Sequence, residues 1–393
     1  MNFQTVADAA KLRAVGERIR SAPRVGLDTE FHNERAYTAR LMVMQIAFVD
    51  EVAIIDPLQI GDLSPMIDAL SETLVTGHAL SGDFKIFADR FDRVPPRVFD
   101  TQIAAAFCGY GASVSLAELV RDLLGVRLKK TQTVSDWSAR PLSAMQFDYL
   151  VDDVAHLLEL YDRLVAQLES RGRLSWVIEE CRPLGTVEHY RVDPHRAYLR
   201  IPGANRMNRR ELGVLSELTA LRDAIARRRD IPLRYVLADD VLSGLATLRP
   251  KTESDLNQLR RLDAGTRKSL GKEILAAVAR GEAIAEAELP AKPSRPVGVQ
   301  REGMVATMSV LVSTIARAND VPASLLVPRS ALERVARELP ADHDALERAL
   351  DLSSWRAKLV VEPLWELLCG ERALRIEGYA QRAPQITYHG ISG

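Results

Sequence analysis

The 393-residue sequence has only three cysteines, Cys108, Cys181 and Cys369. They are odd in number, far apart and in no CxxC pair, so neither a disulfide framework nor a zinc ribbon is expected. A reducing compartment, the cytoplasm, suits such a chain. A run of about 18 apolar residues is missing, so no membrane span and no membrane partner are expected. Residues 1–20 mix apolar and charged residues at helical spacing and lack the apolar core of a signal peptide. An oligomerisation heptad is also missing, which favours a monomer. Nor does one sign of charge dominate: 52 basic against 53 acidic residues leave −1. That balance neither advertises nor excludes a nucleic-acid binder, which needs a local basic face rather than a basic average.

Apolar residues, by contrast, are plentiful at 47 %. They suffice for sizeable cores, and at about 100–200 residues per domain two or three domains are expected. The first half reads as α/β. Residues 24–30 form a short strand, and 41–49 are nearly all apolar, as in a strand buried on both faces. A third strand spans 52–56. Ser64 as N-cap with Pro65 after it opens a helix. A short strand at 76–80 runs into a helix near Ser81. From Asp100 onward the pattern is helical. Ser115 with Glu118, and Ser143 with Gln146, have capping-box spacing, and the second pair opens one long helix reaching about residue 171.

The pattern loosens over 191–204, where a domain boundary is placed, so the first domain is 1–204. Beyond it everything reads as helical. Residues 225–250 align without gaps on 315–340, offset by 90, with eight of 26 positions identical, among them Arg227/Arg317, Asp230/Asp320 and Pro232/Pro322. A duplication follows: two all-α domains, 205–288 and 300–380, joined by a linker at 286–299. Residues 381–393 are expected to be a loose tail.

Three pieces could carry chemistry. Asp28 and Glu30 alternate along a strand and so share one face. Two carboxylates this close are costly unless a cation lies between them; taken alone, a solvated strand end is the plainer reading of the pair. Asp83 sits in the first turn of a helix, where an acid also simply complements the dipole. Tyr149 and Asp153, at i and i+4, share one helical face, which neither Asp148 nor Asp152 shares; a solvated tyrosine on an acidic helix is the plainer reading.

Together and in this order, the three pieces resemble the three exonuclease motifs of the DEDD superfamily. The surroundings extend the likeness: Phe31 after the Asp-Thr-Glu, Arg35 and Tyr37 beyond it, Gln45 in the buried strand, the Phe99-Asp100-Thr101-Gln102 stretch, and Ser135, Asp136, Trp137, Arg140, Pro141 and Gln146 ahead of Tyr149. A tyrosine four before the last aspartate is similar to the tyrosine subclass, ribonuclease D type. The second half resembles HRDC domains. The resemblance implies a ribonuclease H-like exonuclease domain, a mixed sheet flanked by helices, followed by two HRDC-like domains. Gly82 stands where the family commonly has an acid, and the second copy lacks most of the first copy's basic residues, which puts its RNA binding in doubt.

What the resemblance implies is a 3′-5′ exoribonuclease releasing nucleoside 5′-monophosphates, with transfer-RNA precursors or other structured RNA as partner. Asp28, Glu30, Asp83 and Asp153 would hold two divalent ions, Mg²⁺ or Mn²⁺, whose hard character suits carboxylate oxygens. Tyr149, with an ordinary pKa near 10, would orient water rather than act as a base. Substrate contacts are expected from Phe31, His78 and Arg140. They are also expected from a basic stretch, 206–229, that has seven arginines, including Arg209, Arg210, Arg227, Arg228 and Arg229, against three acids. A solvated helix end explains those arginines as readily. Two other functions compete. A DNA exonuclease would use the same motifs. An inactive RNA-binding scaffold would keep the fold but lose an acid, and none is missing. A helicase is disfavoured because the chain has no phosphate-binding glycine loop.

Overall fold

A computed structural model of the chain describes residues 1–32, 36–128, 136–292, 298–380, 382 and 384–390. Arg35 and Ser135 of the motifs above, part of the 286–299 linker and most of the last few residues lie outside these.

Six strands make one mixed sheet: β1 (Asn2–Val6), β2 (Arg24–His32), β3 (Arg40–Ala47), β4 (Glu51–Ile55), β5 (Leu74–Gly77) and β6 (Val98–Asp100). Their order is β1-β4-β3-β2-β5-β6. The β2-β3 and β3-β4 pairs are antiparallel and the others parallel. The apolar run of β3 is buried along seven of its eight residues, because helices cover both faces. One face carries α1 (Ala9–Ser21), α3 (Ser64–Leu70) and α4 (Ser81–Phe91), after the short α2 (Pro57–Ile60).

Across the other face lies α7 (Ala144–Ala155), which sets Leu150, Val151 and Val154 on Val43, Ala47, Val52 and Ile54. Beyond the sheet edge, α5 (Thr101–Phe107), α6 (Leu116–Leu124), α8 (Leu157–Ser170) and α9 (Leu174–Cys181) share a further core, and α10 (Val187–Tyr190) follows.

Three expectations for this domain need correction. β1 was read as the start of a helix; five residues carry too little periodicity, and its partner β4 lies some 50 residues away in sequence. Ser64 is the first helical residue rather than the cap, and Asp62 accepts its N–H at 2.9 Å. The long helix is two, broken at His156, because α7 packs on β2, β3 and β4 while α8 turns to pack on α5 and β5. Both capping boxes form.

The third group of helices is α11 (Arg209–Arg229), α12 (Leu233–Val236), α13 (Asp239–Leu248), α14 (Glu253–Leu256) and α15 (Ala264–Ala283). Tyr198, Ile201 and Ala204 share its core, so packing groups residues from about Pro194 with this domain rather than with the sheet. The fourth is α16 (Val299–Ala318), α17 (Ala323–Leu326), α18 (Arg329–Glu338), α19 (His343–Leu350) and α20 (Ser354–Cys369). In place of a loose tail, β7 (Arg372–Glu377) and β8 (Gln385–Gly390) pair as an antiparallel hairpin. Among the described residues no helix is long and apolar enough to cross a membrane.

Candidate active site

The central strand β2 brings the first two acids to the edge of the sheet. Asp28 pairs across the ladder with Gln45, and Glu30 with Val43. The register shifts between Glu30 and Phe31, an irregularity of the kind that re-aims side chains beside functional sites. α7 crosses the same face and delivers Tyr149 and Asp153. Oxygens of Asp28, Glu30 and Asp153 converge to within 4.8 Å of one another. Gln45, beside Asp28, is fully buried, and neither polar atom of its carboxamide finds a partner among the described residues.

Asp83, in the first turn of α4, stands outside that trio. It is buried, and the Thr29 hydroxyl donates to it. Thr29 points away from Asp28 and Glu30 by strand alternation, so β2 touches all four acids through both its faces. The turn into α4 is fixed by Asp100, whose carboxylate accepts the N–H groups of Ala79 (3.1 Å), Leu80 (2.8 Å) and Gln102 (2.9 Å). Thr29 carried no signal in the sequence, because a threonine in a strand is ordinary. Asp100 lay in a quoted motif without an assigned task.

Burial and mutual repulsion oppose ionisation across the site. Burial first, then the charges of Asp83, Asp153 and Glu30, hold the Asp28 carboxyl well above its usual range. Burial, Asp153 and Asp83 push Glu30 up to about 8. Burial likewise raises Asp83 and Asp153 to about 6. Tyr149 donates its hydroxyl to Asp153, and its pKa rises through burial and the charges of Asp153, Glu30 and Asp28. Trp137 packs on it at 5.6 Å between ring centroids. Hard carboxylate oxygens gathered at this spacing, each disfavouring the ionisation of the next, fit a divalent cation.

The comparisons with known proteins agree. Residues 3–169 match the 3′-5′ exonuclease family and 211–278 the HRDC domain. Ribonuclease D of Granulibacter bethesdensis is 36 % identical over 95 % of this chain and 94 % of its own length. That of Escherichia coli is 31 % identical over 94 % and 99 %. The chain belongs to the ribonuclease D family. The crystal structure of Escherichia coli RNase D, described as an exoribonuclease involved in structured RNA processing, has a TM-score of 0.81 at 30 % identity and covers 98 % of this chain and 100 % of that one. Ribonuclease D is a 3′-5′ exoribonuclease, and as a member of the family this chain is one too.

Among the remaining candidates, Phe31 is half-buried beside the acids, and a Cβ added to Gly82 would lie 3.7 Å from its ring. Five others, expected to contact substrate, make bonds within the protein. Both ring nitrogens of His78 are taken, by Thr101 Oγ1 (2.9 Å) and the Val114 carbonyl (3.0 Å), and burial lowers its pKa. Arg140 grips Asp56 through Nε (2.6 Å) and Nη2 (2.9 Å) and also donates to the Met42 carbonyl. Arg209 donates to the Leu289 carbonyl at 2.7 Å. Arg210 donates to the Glu282 and Ile284 carbonyls at the end of α15, which a helix leaves unpaired. Arg227 donates to the Tyr37 hydroxyl at 3.0 Å. Arg228 and Arg229 stay exposed.

Proposed function

We propose that this exoribonuclease works through two divalent cations, Mg²⁺ or Mn²⁺, held by Asp28, Glu30, Asp83 and Asp153, and releases nucleoside 5′-monophosphates from RNA 3′ ends. The observation carrying this reading is the convergence of three carboxylates within 4.8 Å, with Asp83 raising the pKa of two of them. Bound there, such ions would activate water and neutralise charge on the phosphoryl and leaving oxygens. Tyr149 keeps its proton at neutral pH, since burial first and then the charge of Asp153 raise its pKa. Its hydroxyl donates to Asp153, and its oxygen has a lone pair left to orient the attacking water. Phe31, half-exposed beside Glu30, offers a face to the terminal base.

The RNA itself would be a transfer-RNA precursor or another structured RNA with a free 3′ end, as the description of the Escherichia coli relative suggests. Phosphates need cations that are not already paired. Arg228 and Arg229 qualify. So do Arg200 and Arg234, which line, with the exposed Tyr235, a cleft of about 1470 Å³ between α4 and the first HRDC domain. All four acids and Tyr149 come from one chain, so a monomer in the cytoplasm suffices.

The test compares wild type with Asp153→Asn on 3′-tailed transfer RNA and on single-stranded DNA, with Mg²⁺, with Mn²⁺ and with EDTA. Monophosphate release from RNA should be lost in the variant and in EDTA, while RNA binding persists. Wild-type turnover by Asp153→Asn would sink the carboxylate assignment, and equal rates on DNA would widen the substrate class.

A further inference from the structure

The likeness between the two helical domains runs further in the structure than in the sequence. Each of the five helices of the first starts 90 residues before its counterpart: Arg209 and Val299, Leu233 and Ala323, Asp239 and Arg329, Glu253 and His343, Ala264 and Ser354. The turn after the first helix repeats bond for bond. Ile231 N–H donates to the Ala226 carbonyl (3.1 Å) and Val321 N–H to the Ala316 carbonyl (3.0 Å). Between them stand the matched aspartates, Asp230 at φ 47° and Asp320 at φ 50°. A glycine would hold that left-handed turn more cheaply, so the carboxylate must serve something else in both copies.

In both it reaches the exonuclease domain. Asp230 Oδ1 accepts the backbone N–H groups of Tyr37 (3.1 Å) and Thr38 (3.2 Å), just ahead of β3, the strand that pairs with β2 along Asp28 and Glu30. Around it, the Tyr37 hydroxyl donates to Asp223 at 2.6 Å, and the Arg227 guanidinium lies 5.1 Å over the Tyr37 ring. Asp320 Oδ2 accepts from Arg171 Nη1 at 2.9 Å, at the end of α8. Its carboxylate also lies against Gly109, where an added Cβ would come 2.5 Å from Oδ2.

We propose that Asp230 and Asp320 are paired docking residues, through which the two HRDC-like copies clamp the exonuclease domain. Asp230 is in addition a positioning residue for the strand that carries Asp28 and Glu30. The copies thus share a docking chemistry and divide its use. The first copy braces the loop next to the carboxylates, while the second anchors its domain away from them. The kinetic part rests on the carboxylate site proposed above; the melting part stands without it.

Four variants of the full-length chain test this: Asp230→Gly, Asp230→Asn, Asp320→Gly and Asp320→Asn. Glycine keeps the left-handed turn and removes the acceptor. Asparagine keeps an acceptor oxygen, and in the first copy both N–H groups use one oxygen, so it can replace the acid there. On a short single-stranded RNA that engages little beyond the exonuclease site, Asp230→Gly should lower kcat about tenfold with KM little changed, about 1.4 kcal/mol and so only part of what two hydrogen bonds to a carboxylate contribute. Asp230→Asn should restore the rate to within about twofold. Asp320→Gly should leave kcat and KM near wild type but lower the melting temperature, and Asp320→Asn, lacking the charge Arg171 faces, should recover only part of that. Unchanged kcat in Asp230→Gly, failure of asparagine to restore it, or an unchanged melting temperature in Asp320→Gly would overturn the proposal. If Asp153→Asn is dead while Asp230→Gly is normal, the clamp alone has failed.

Discussion

Around Asp28 burial and charge oppose ionisation together, and pH exposes the conflict. Glu30 titrates near 8 in the folded protein against an ordinary 4.5, and Asp83 and Asp153 near 6 against 3.8. The folded chain therefore holds protons that the unfolded chain has already released. Without metal, stability falls as pH rises from about 4 to about 8, because the folded state binds more protons there. In EDTA, Glu30→Gln should melt a few degrees above wild type at pH 8 and level with it at pH 4. Mg²⁺ or Mn²⁺ should stabilise wild type most at the alkaline end. A melting temperature of wild type that climbs with pH in EDTA would contradict the carboxylate cluster. Strand alternation put Asp28 with Glu30 and i,i+4 spacing put Tyr149 with Asp153, but only the resemblance of the three motifs joined Asp83 to them. The fates of His78 and Arg140 were not legible in the sequence, since Val114 and Asp56 lie 36 and 84 residues from them.

Elements carry information that their residues alone do not. α11 is basic at both ends, and residue types alone do not tell the ends apart. Its first-turn arginines, Arg209 and Arg210, satisfy carbonyls around the end of α15, a contact closed over more than 70 residues. Arg228 and Arg229, in its last turn, stay in solvent. The two ends should part cleanly on substitution. Arg210→Ala should lower the melting temperature and leave the salt dependence of RNA binding alone. Arg229→Ala should leave melting alone and reduce the slope of log affinity against log salt by about 0.7 if it contacts one phosphate of a single strand. Equal slopes for wild type and Arg229→Ala would remove that end of α11 from the RNA path. Helix starts with reciprocal caps, such as Ser143 with Gln146, were readable. The break at His156 was not, since apolar spacing continues across it while the packing partner changes.

For the whole molecule, the second HRDC-like domain is welded to the exonuclease domain and the first is latched. Trp355 stacks on Trp176 at 4.8 Å and meets Phe107 edge-on at 5.2 Å, and Arg356 takes both oxygens of Glu180. One continuous core runs from Phe99 through α8 and α9 to Leu364. Trp355→Ala should cost about 3–5 kcal/mol. It should lower a calorimetric transition that the exonuclease and second HRDC-like domains share; a separate, earlier transition for the second domain in wild type would rule out the shared core. The sequence revealed two copies but not this asymmetry, because the residues at the corresponding positions of the first copy, Gly265 and Thr266, say nothing of what the second copy leans on.

The constant spacing of 90 residues between matching helices has a genetic reading. No net insertion or deletion separates the helix starts of one copy from those of the other. The two segments are thus DNA cassettes of equal length, and exchanging them would keep every helix start in frame.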